Sequence, residues 1–362
     1  MVTARFDDPR ILELPGVARR FLRYVRIDTQ SDPVSTTVPS TSRQKDLGHV
    51  LAAELEAMGI EATMDEFGYV FATIPASGDD APKVALLAHL DTSPDEPGAA
   101  NPLVHFGYDG SIITLPGNRS VRLDPSESRD LLDANRSVRL DPLVSRELLD
   151  HIGEDLITGD GTSLLGSDDK AGVAVLMQLA EDLTADPGTP RPELRLCFTI
   201  DEEIGRGVDH LDLNRLDADV AYTIDGGGTR TIYAETFNAA EAIVEIRGVM
   251  VHPGYAKGIM VNAVRILGEL LAQLPSGEAP ETTEDREGYI HPHLIYPSDA
   301  TLARAKILLR DFTDDGLARR KELLESLAAM LRVKHPRAEI DLAITDQYRN
   351  MRSYIEEKDA RA

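Results

Sequence analysis

Cysteine is almost missing from this chain. Cys197 is the only one in 362 residues, which rules out an intrachain disulfide and a zinc cluster built on thiolates. Positive charge is also scarce: 38 Lys and Arg stand against 62 Asp and Glu, a net charge of −24. Sequence-independent nucleic-acid binding needs a cationic surface to displace counterions, so that class is excluded, and docking on anionic membranes is disfavoured. No run of about 18 apolar residues occurs, and the opening "MVTARFDDPRILELPG" lacks the apolar core of a signal peptide. A cytoplasmic protein with neither nucleic acid nor membrane as partner is the expectation.

What remains is ordinary in bulk and unusual in placement. Apolar residues make up 42% and charged residues 28%, the balance of a soluble globular chain with room for one large or two medium domains. Helical and strand patterns alternate, so the fold class is α/β or α+β. "GVARRFLRYVRI" and "TSRQKDLGHVLAAELEAMG" carry apolar residues at helical spacing, the second stopping at Gly59. "YVFATIPA" and "KVALLAHLD" read as strands across the turn-rich "SGDDAP". Further on, "DLITGDGTSLLGSDDKAG" leads from a strand through glycine turns into a helix near Lys170, and "ELRLCFTI" and "ADVAYTI" are two more strands.

Residues 118–151 hold a tandem duplication: "NRSVRLDPSESRDLLDA" is followed by "NRSVRLDPLVSRELLDH", identical at 13 of 17 positions. Two short polar copies cannot build a solenoid, which needs about three or more repeats, so the duplication is expected in a surface connection. From about residue 236 the pattern becomes β-α-β-β-α-β, the split βαβ arrangement of a compact two-layer domain ending near 346.

The placement of acids is the informative feature. "KVALLAHLD" ends in His89 and Asp91, "LCFTIDEE" in Asp201, Glu202 and Glu203, and "VAYTID" in Asp225, while Asp168 and Asp169 open a helix. Three consecutive acids repel unless a basic side chain, open water or a metal ion sits near. Taken singly, His89 reads as a hydrogen-bonded strand-end histidine, Asp168 or Asp169 as a helix cap, and "DEEIGRG" and Asp225 as turns. Taken together, they share one address if their strands are parallel neighbours, because α/β sites lie beyond the carboxyl ends of such strands. Imidazole and carboxylates without thiolate suit a catalytic zinc site, with cobalt or manganese as substitutes. Alternation puts His89 and Asp91 on one strand face, where the aspartate can accept the second ring N–H. Of the adjacent glutamates, one can bind metal while the other serves as general base.

The ordered stretches "AHLDTSPD", "DGTSLLGSDDKAG", "FTIDEEIGRG", "AYTIDGGG", "VHPGYAKGIMVNA" and "LLRDF" resemble the dinuclear-zinc peptidases, the family that also holds aminoacylases and glutamate carboxypeptidases. The glycine-flanked aspartate and "VHPGYAKG" favour its tripeptide-aminopeptidase branch, peptidase T. The resemblance implies a zinc-peptidase catalytic domain at 1–235, with a mixed, largely parallel sheet flanked by helices. It also implies an inserted α+β lid domain at 236–346, and the start of a returning catalytic segment at 347–362. It implies two zinc ions per subunit: His89, Asp168 and Asp225 on one, Asp168 bridging to a second that Glu203 also holds. Asp91 would orient His89, and Glu202 would be the general base for a shared water. His252 would stabilise the oxyanion, and Arg310 with Asn262 would hold the carboxylate end of a small peptide substrate. A homodimer through the lid domain is a further implication.

Two departures from the family pattern accompany the resemblance. The duplication is one. The other is that the family's second-zinc histidine, expected near the C-terminus behind a glycine-rich segment, has no counterpart, since His291, His293 and His335 lie in other contexts. The expectation is weak binding of the second metal and an uncovered sheet edge. Alternative activities are N-acyl amino acid hydrolysis by the same chemistry, or peptide binding without turnover.

Overall fold

The computed structural model describes residues 1–78, 81–119, 121–123, 148–226 and 231–358, so most of the duplicated segment lies outside the described residues. The chain divides into two compact units, Met1–Thr229 and Arg230–Ala362.

In chain order the first unit contains strands β1 (Val2–Arg5), β2 (Ala62–Met64), β3 (Val70–Ile74), β4 (Val84–His89), β5 (Leu103–Phe106), β6 (Ile113–Thr114), β7 (Arg122–Leu123), β8 (Leu156–Thr158), β9 (Leu194–Thr199) and β10 (Val220–Thr223). Its main helices are α1 (Gly16–Tyr24), α2 (Gln44–Ala57) and α3 (Ser167–Ala185). Five strands form the central sheet in the order β10-β4-β9-β3-β2. Pairings β10–β4 and β4–β9 are parallel, whereas β9–β3 and β3–β2 are antiparallel. The sheet is therefore mixed, and parallel only across three strands. For β3–β2 the reason is local: the carboxylate of Asp65 accepts from the backbone of Gly68 and Tyr69, closing a tight turn. A tight turn can return the chain only as an antiparallel neighbour.

Strand β9 is central and nearly all buried, as its apolar run dictates. Against the sheet, α2 packs Leu47, Leu51 and Leu55, one helical stripe with no exposure at all, and α3 packs Val173, Leu176, Met177 and Ala180. Burying each of the larger side chains contributes about 1.5–3 kcal/mol. Beside this sheet lies an antiparallel one of order β1-β5-β8, and β6 pairs with β7.

The second unit runs β11 (Asn238–Arg247), α4 (Ala263–Leu271), β12 (Tyr289–Ile295), β13 (Leu302–Asp311), α5 (Asp314–Lys334), β14 (Glu339–Tyr348) and α6 (Met351–Lys358). Up to β14 this is the β-α-β-β-α-β order read from the sequence. Its sheet is antiparallel throughout, in the order β12-β13-β11-β14. Alternate residues Ala240, Ala242, Val244 and Ile246 of β11, and Ala303, Ala305, Ile307 and Leu309 of β13, are fully buried against α4 and α5. Small residues on that face let the helices approach the sheet closely. No helix among the described residues is long and apolar enough to cross a membrane.

Candidate metal centre

The three parallel strands end together. His89, the last residue of β4, pairs with Thr199, the last of β9, and Thr223 of β10 pairs with Leu87. The chain leaving β9 reaches Glu202 and Glu203 within a short 3-10 turn, and the chain leaving β10 reaches Asp225 two residues on. These side chains thus gather beyond the carboxyl edge of the sheet, where α/β folds place their sites.

His89 is buried at the centre. Its Nε2 lies 2.8 Å from Asp168 Oδ1 and 3.8 Å from Asp225 Oδ2. On its other side, Nδ1 lies 3.0 Å from the Asp91 carbonyl and 3.3 Å from Asp91 Oδ1. The Asp91 carboxylate also accepts the backbone N–H of Glu202 at 2.9 Å and of Glu203 at 3.1 Å. One buried carboxylate therefore faces the imidazole and fixes the glutamate turn at once.

At the mouth of α3, Asp168 and Asp169 have non-helical backbone angles and are joined by a cis peptide bond. Their side chains divide. Asp168 faces His89, while Asp169 is buried and accepts from the backbone N–H of His89 and of Gly172, both at 3.1 Å. Asp169 thus does the capping that the sequence left open between the pair. Gly172 explains the glycine of "DDKAG": a Cβ there would sit 2.0 Å from the Ile224 carbonyl and 2.4 Å from Asp169 Oδ1. Only glycine lets the first turn of α3 pass so close under the residue preceding Asp225.

Two overlapping donor sets result, His89 with Asp169 and Asp225, and His89 with Asp168 and Glu203, each with donor atoms within 4.8 Å of one another. Their protonation equilibria show the crowding. Burial pushes Asp169 up to about 8. Burial and the neighbouring Asp168 carboxylate push Glu203 up to about 7. Burial raises Asp225 to about 6, and Glu202 also rises. Burial opposes charge on His89, yet hydrogen bonds to Asp168 and Asp91 prevail and push it up to about 11. Asp168 alone falls, because His89 donates to it. The cluster relieves its negative charge by holding protons, a demand that a divalent cation would meet instead.

In the second unit, His252 begins a short turn and its Nδ1 accepts from the Gly254 backbone N–H at 3.1 Å. That bond assigns the neutral ring's proton to Nε2, leaving a donor there. Asn262 caps α4, its Oδ1 accepting from the Arg265 backbone N–H at 3.1 Å. Arg310 donates to the carbonyls of Ala240 and Leu309 and lies 5.7 Å from the Tyr348 ring centre. It has no carboxylate partner among the described residues, since Asp311 pairs with Arg320 and Asp314 with Arg349.

Two residues escaped the sequence reading. Lys170 is buried, donates to the Ile27 carbonyl at 2.7 Å, and is pulled down to about 8 by burial. The signal was there, because Lys170 shares a helical face with Val173, Ala174 and Met177. The other is Asp201, the leading acid of the "DEE" run, which is as buried as the core around it.

Imidazole and carboxylates gathered at the end of parallel strands, with no thiolate among them, define an α/β metallohydrolase. Comparison with known proteins narrows the class. A family model for a peptidase dimerisation domain matches residues 234–339. The chain is 42% identical over 340 residues to peptidase T of Geobacillus thermodenitrificans (strain NG80-2), covering 93% of this chain and 78% of that one. With peptidase T of Desulfitobacterium hafniense (strain Y51) the identity is 41% over 345 residues, covering 95% and 80%. Among solved structures, a tripeptidase from Staphylococcus aureus matches with a TM-score of 0.62 at 18% identity, over 95% of this chain and 78% of that one. The aminopeptidase PepT from Bacillus cereus matches at 0.59 and 19%, over 92% and 76%. The solved structures speak for the fold, and the sequence identities for the family. The chain belongs to the peptidase T family.

Proposed function

We propose that this chain is a tripeptide aminopeptidase that hydrolyses the first peptide bond of its substrate at a centre of two divalent metal ions, zinc by preference. The observation that carries this reading is the convergence of His89, Asp168, Glu203 and Asp225 at the ends of three parallel strands, with acids that hold protons in place of a cation. The donor set fits such ions: one imidazole, several carboxylates, and the single thiol of Cys197 buried in the core. His89, Asp168 and Asp225 would hold one ion, and Asp168 and Glu203 would hold the second. When bound, the metal lowers the pKa of water and polarises the carbonyl.

The chain's own groups perform the remaining work. Asp91 takes the Nδ1 side of His89 and so keeps Nε2 facing the acids. Glu202, exposed beside the cluster and raised by burial of its carboxyl end, takes the proton of the attacking water and returns it to the departing amine nitrogen. His252 would donate from Nε2 to the oxyanion, and Arg310, with Asn262, would hold the terminal carboxylate of the peptide. Residues 1–235 form the catalytic domain on this reading. Residues 236–346 form a lid that also supports a homodimer, a role consistent with the dimerisation-domain match. A cytoplasmic location completes it.

The test is release of the N-terminal residue from trialanine by the zinc- or cobalt-loaded protein and by its Glu202→Ala variant. Turnover abolished in the variant supports the reading. Hydrolysis of an N-acetylated amino acid in preference to the tripeptide would replace it with the deacylase alternative.

A further inference from the structure

The stretch "IDEEIG" contains a third acid that neither the metal centre nor the proton transfer uses. Asp201 is 1% exposed, and the side chains its carboxylate meets among the described residues, Ser40 and Gln44, are uncharged. Its carboxylate is nevertheless well supplied with donors. Oδ2 accepts the backbone N–H of Ser40 at 2.7 Å, and Oδ1 accepts the Ser40 hydroxyl at 2.5 Å and Gln44 Nε2 at 2.6 Å. Gln44 answers with its Oε1, which accepts the Asp201 backbone N–H at 3.1 Å. Ser40 and Gln44 are themselves buried, at 5% and 0% exposure, the first in the loop before α2 and the second in its first turn.

Three consecutive backbone amides are therefore held by side chains from other elements. The amide of residue 201 goes to Gln44, and those of 202 and 203 go to the two oxygens of Asp91. Between these anchors, Asp201 takes a left-handed backbone angle, φ 53°, a region that aspartate and asparagine tolerate better than most residues. This bend turns the chain out of β9 so that Glu202 and Glu203 start their 3-10 turn at the sheet edge. Asp91 holds the first two amides of that turn, and the Asp201 network holds the residue that leads into it. A second tie closes behind it, since the Asp201 carbonyl accepts the Arg206 backbone N–H at 2.9 Å and Arg206 Nη1 reaches the Ser35 carbonyl at 2.9 Å.

We propose that Asp201 is a positioning residue, whose buried hydrogen-bond network with Ser40 and Gln44 sets the directions in which Glu202 and Glu203 leave the sheet. It acts through those two glutamates, and so rests on their assignment as base and metal ligand. Because both groups depend on one bend, a shift there costs catalysis and metal geometry together, and a displacement of about 1 Å is worth about a hundredfold in rate.

The test uses the full chain, loaded with Co2+, and three variants: Asp201→Asn, Gln44→Glu and the two combined. Asparagine keeps the tolerance for the left-handed angle but sets an NH2 where Oδ1 meets two donors. The double variant reverses the polarity of the pair. The amide introduced at position 201 then donates to the carboxylate introduced at position 44, while its oxygen still accepts from Ser40, which restores the network with the charge moved. Expected are a kcat loss of about ten- to a hundredfold in each single variant, KM within about twofold, and an altered visible Co2+ spectrum. The double variant should recover at least tenfold of the loss and the parent spectrum. A melting loss with kcat and spectrum unchanged would make Asp201 a stability residue and overturn the proposal, as would a double variant no better than Asp201→Asn. If the parent turns over no tripeptide, the aminopeptidase reading fails, while the cobalt spectra still decide the role of Asp201.

Discussion

The two units treat acidic residues in opposite ways. In the second unit acids are paired where they stand: Glu241 with Lys306, Asp341 with Arg247, Glu269 with Lys334 and His335, and buried Asp311 with Arg320. At the parallel edge of the first unit, Asp168, Asp169, Glu202, Glu203 and Asp225 meet around one imidazole, and burial with mutual repulsion pushes all but Asp168, to which His89 donates, toward protonation. Local pairing is what a fold needs for itself. Convergence without enough cations makes sense only if the missing charge arrives from outside, and that difference separates a site from a surface.

The largest test of the contrast removes one acid from the first group. Glu202→Gln keeps shape and removes the proton acceptor, so tripeptide turnover by the metal-loaded protein should fall about a thousandfold, within the range for general acid–base groups. Melting temperature and bound metal should stay near the parent's, and equal losses of all three would sink the assignment.

The same type of deletion in the second unit should act on stability instead. Asp311→Ala takes from the Arg320 guanidinium, 4% exposed, its buried partner and leaves it only the more exposed Glu278 at 2.9 Å, which costs about 2–3 kcal/mol. Glu203→Gln in metal-free protein relieves repulsion and should leave the melting temperature unchanged or raise it at pH 8. Denaturant titration of both variants decides, and a large loss for Glu203→Gln would erase the distinction between the units.

The pH dependence of the metal-free protein carries the same sign. Folded Glu203 and Asp169 titrate near 7 and 8, and His89 near 11, all above their unfolded values of about 4.5, 3.8 and 6.5. The folded chain therefore binds more protons than the unfolded one across pH 5 to 9, and stability must fall as pH rises through that window. A saturating divalent cation should cancel the slope. Thermal melts with chelator and with Zn2+ at pH 6 and 8.5 would show it, and a metal-free protein more stable at pH 8.5 would contradict the picture.

Much of this was legible beforehand, and for physical reasons. The strand ends at His89, Glu203 and Asp225 were readable because apolar runs stop abruptly at polar residues, and the second unit because its periodicities are clean over long elements. The antiparallel half of the central sheet was not readable, since a turn such as that at Asp65 shows a reversal but not which strand β3 will join. Asp201 was hidden for another reason. Its donors come from Ser40 and Gln44, about 160 residues away, and nothing local distinguishes a buried aspartate from its two active neighbours.

The smallest expected effect lies in the first unit, away from the acid cluster. His105 sits in the middle strand β5, fully buried, with Nδ1 2.9 Å from Thr3 Oγ1 on β1 and Nε2 2.9 Å from Thr158 Oγ1 on β8. Rotatable hydroxyls can satisfy either ring tautomer, so hydrogen bonding does not oppose protonation; burial does, and it holds the imidazole below its usual value. The sign is opposite to that of the acid cluster. Below about pH 6.5 the unfolded chain takes up a proton that the folded chain resists, so stability falls as pH falls, by at most about 1.4 kcal/mol per unit for one group. With metal bound to silence the cluster, His105→Gln should flatten the acid limb of the melting profile between about pH 6.5 and 5 without changing turnover at pH 7.5. An unchanged limb would mean that the sheet of β1, β5 and β8 accepts the imidazolium, and that burial alone is a poor guide to where this chain tolerates charge.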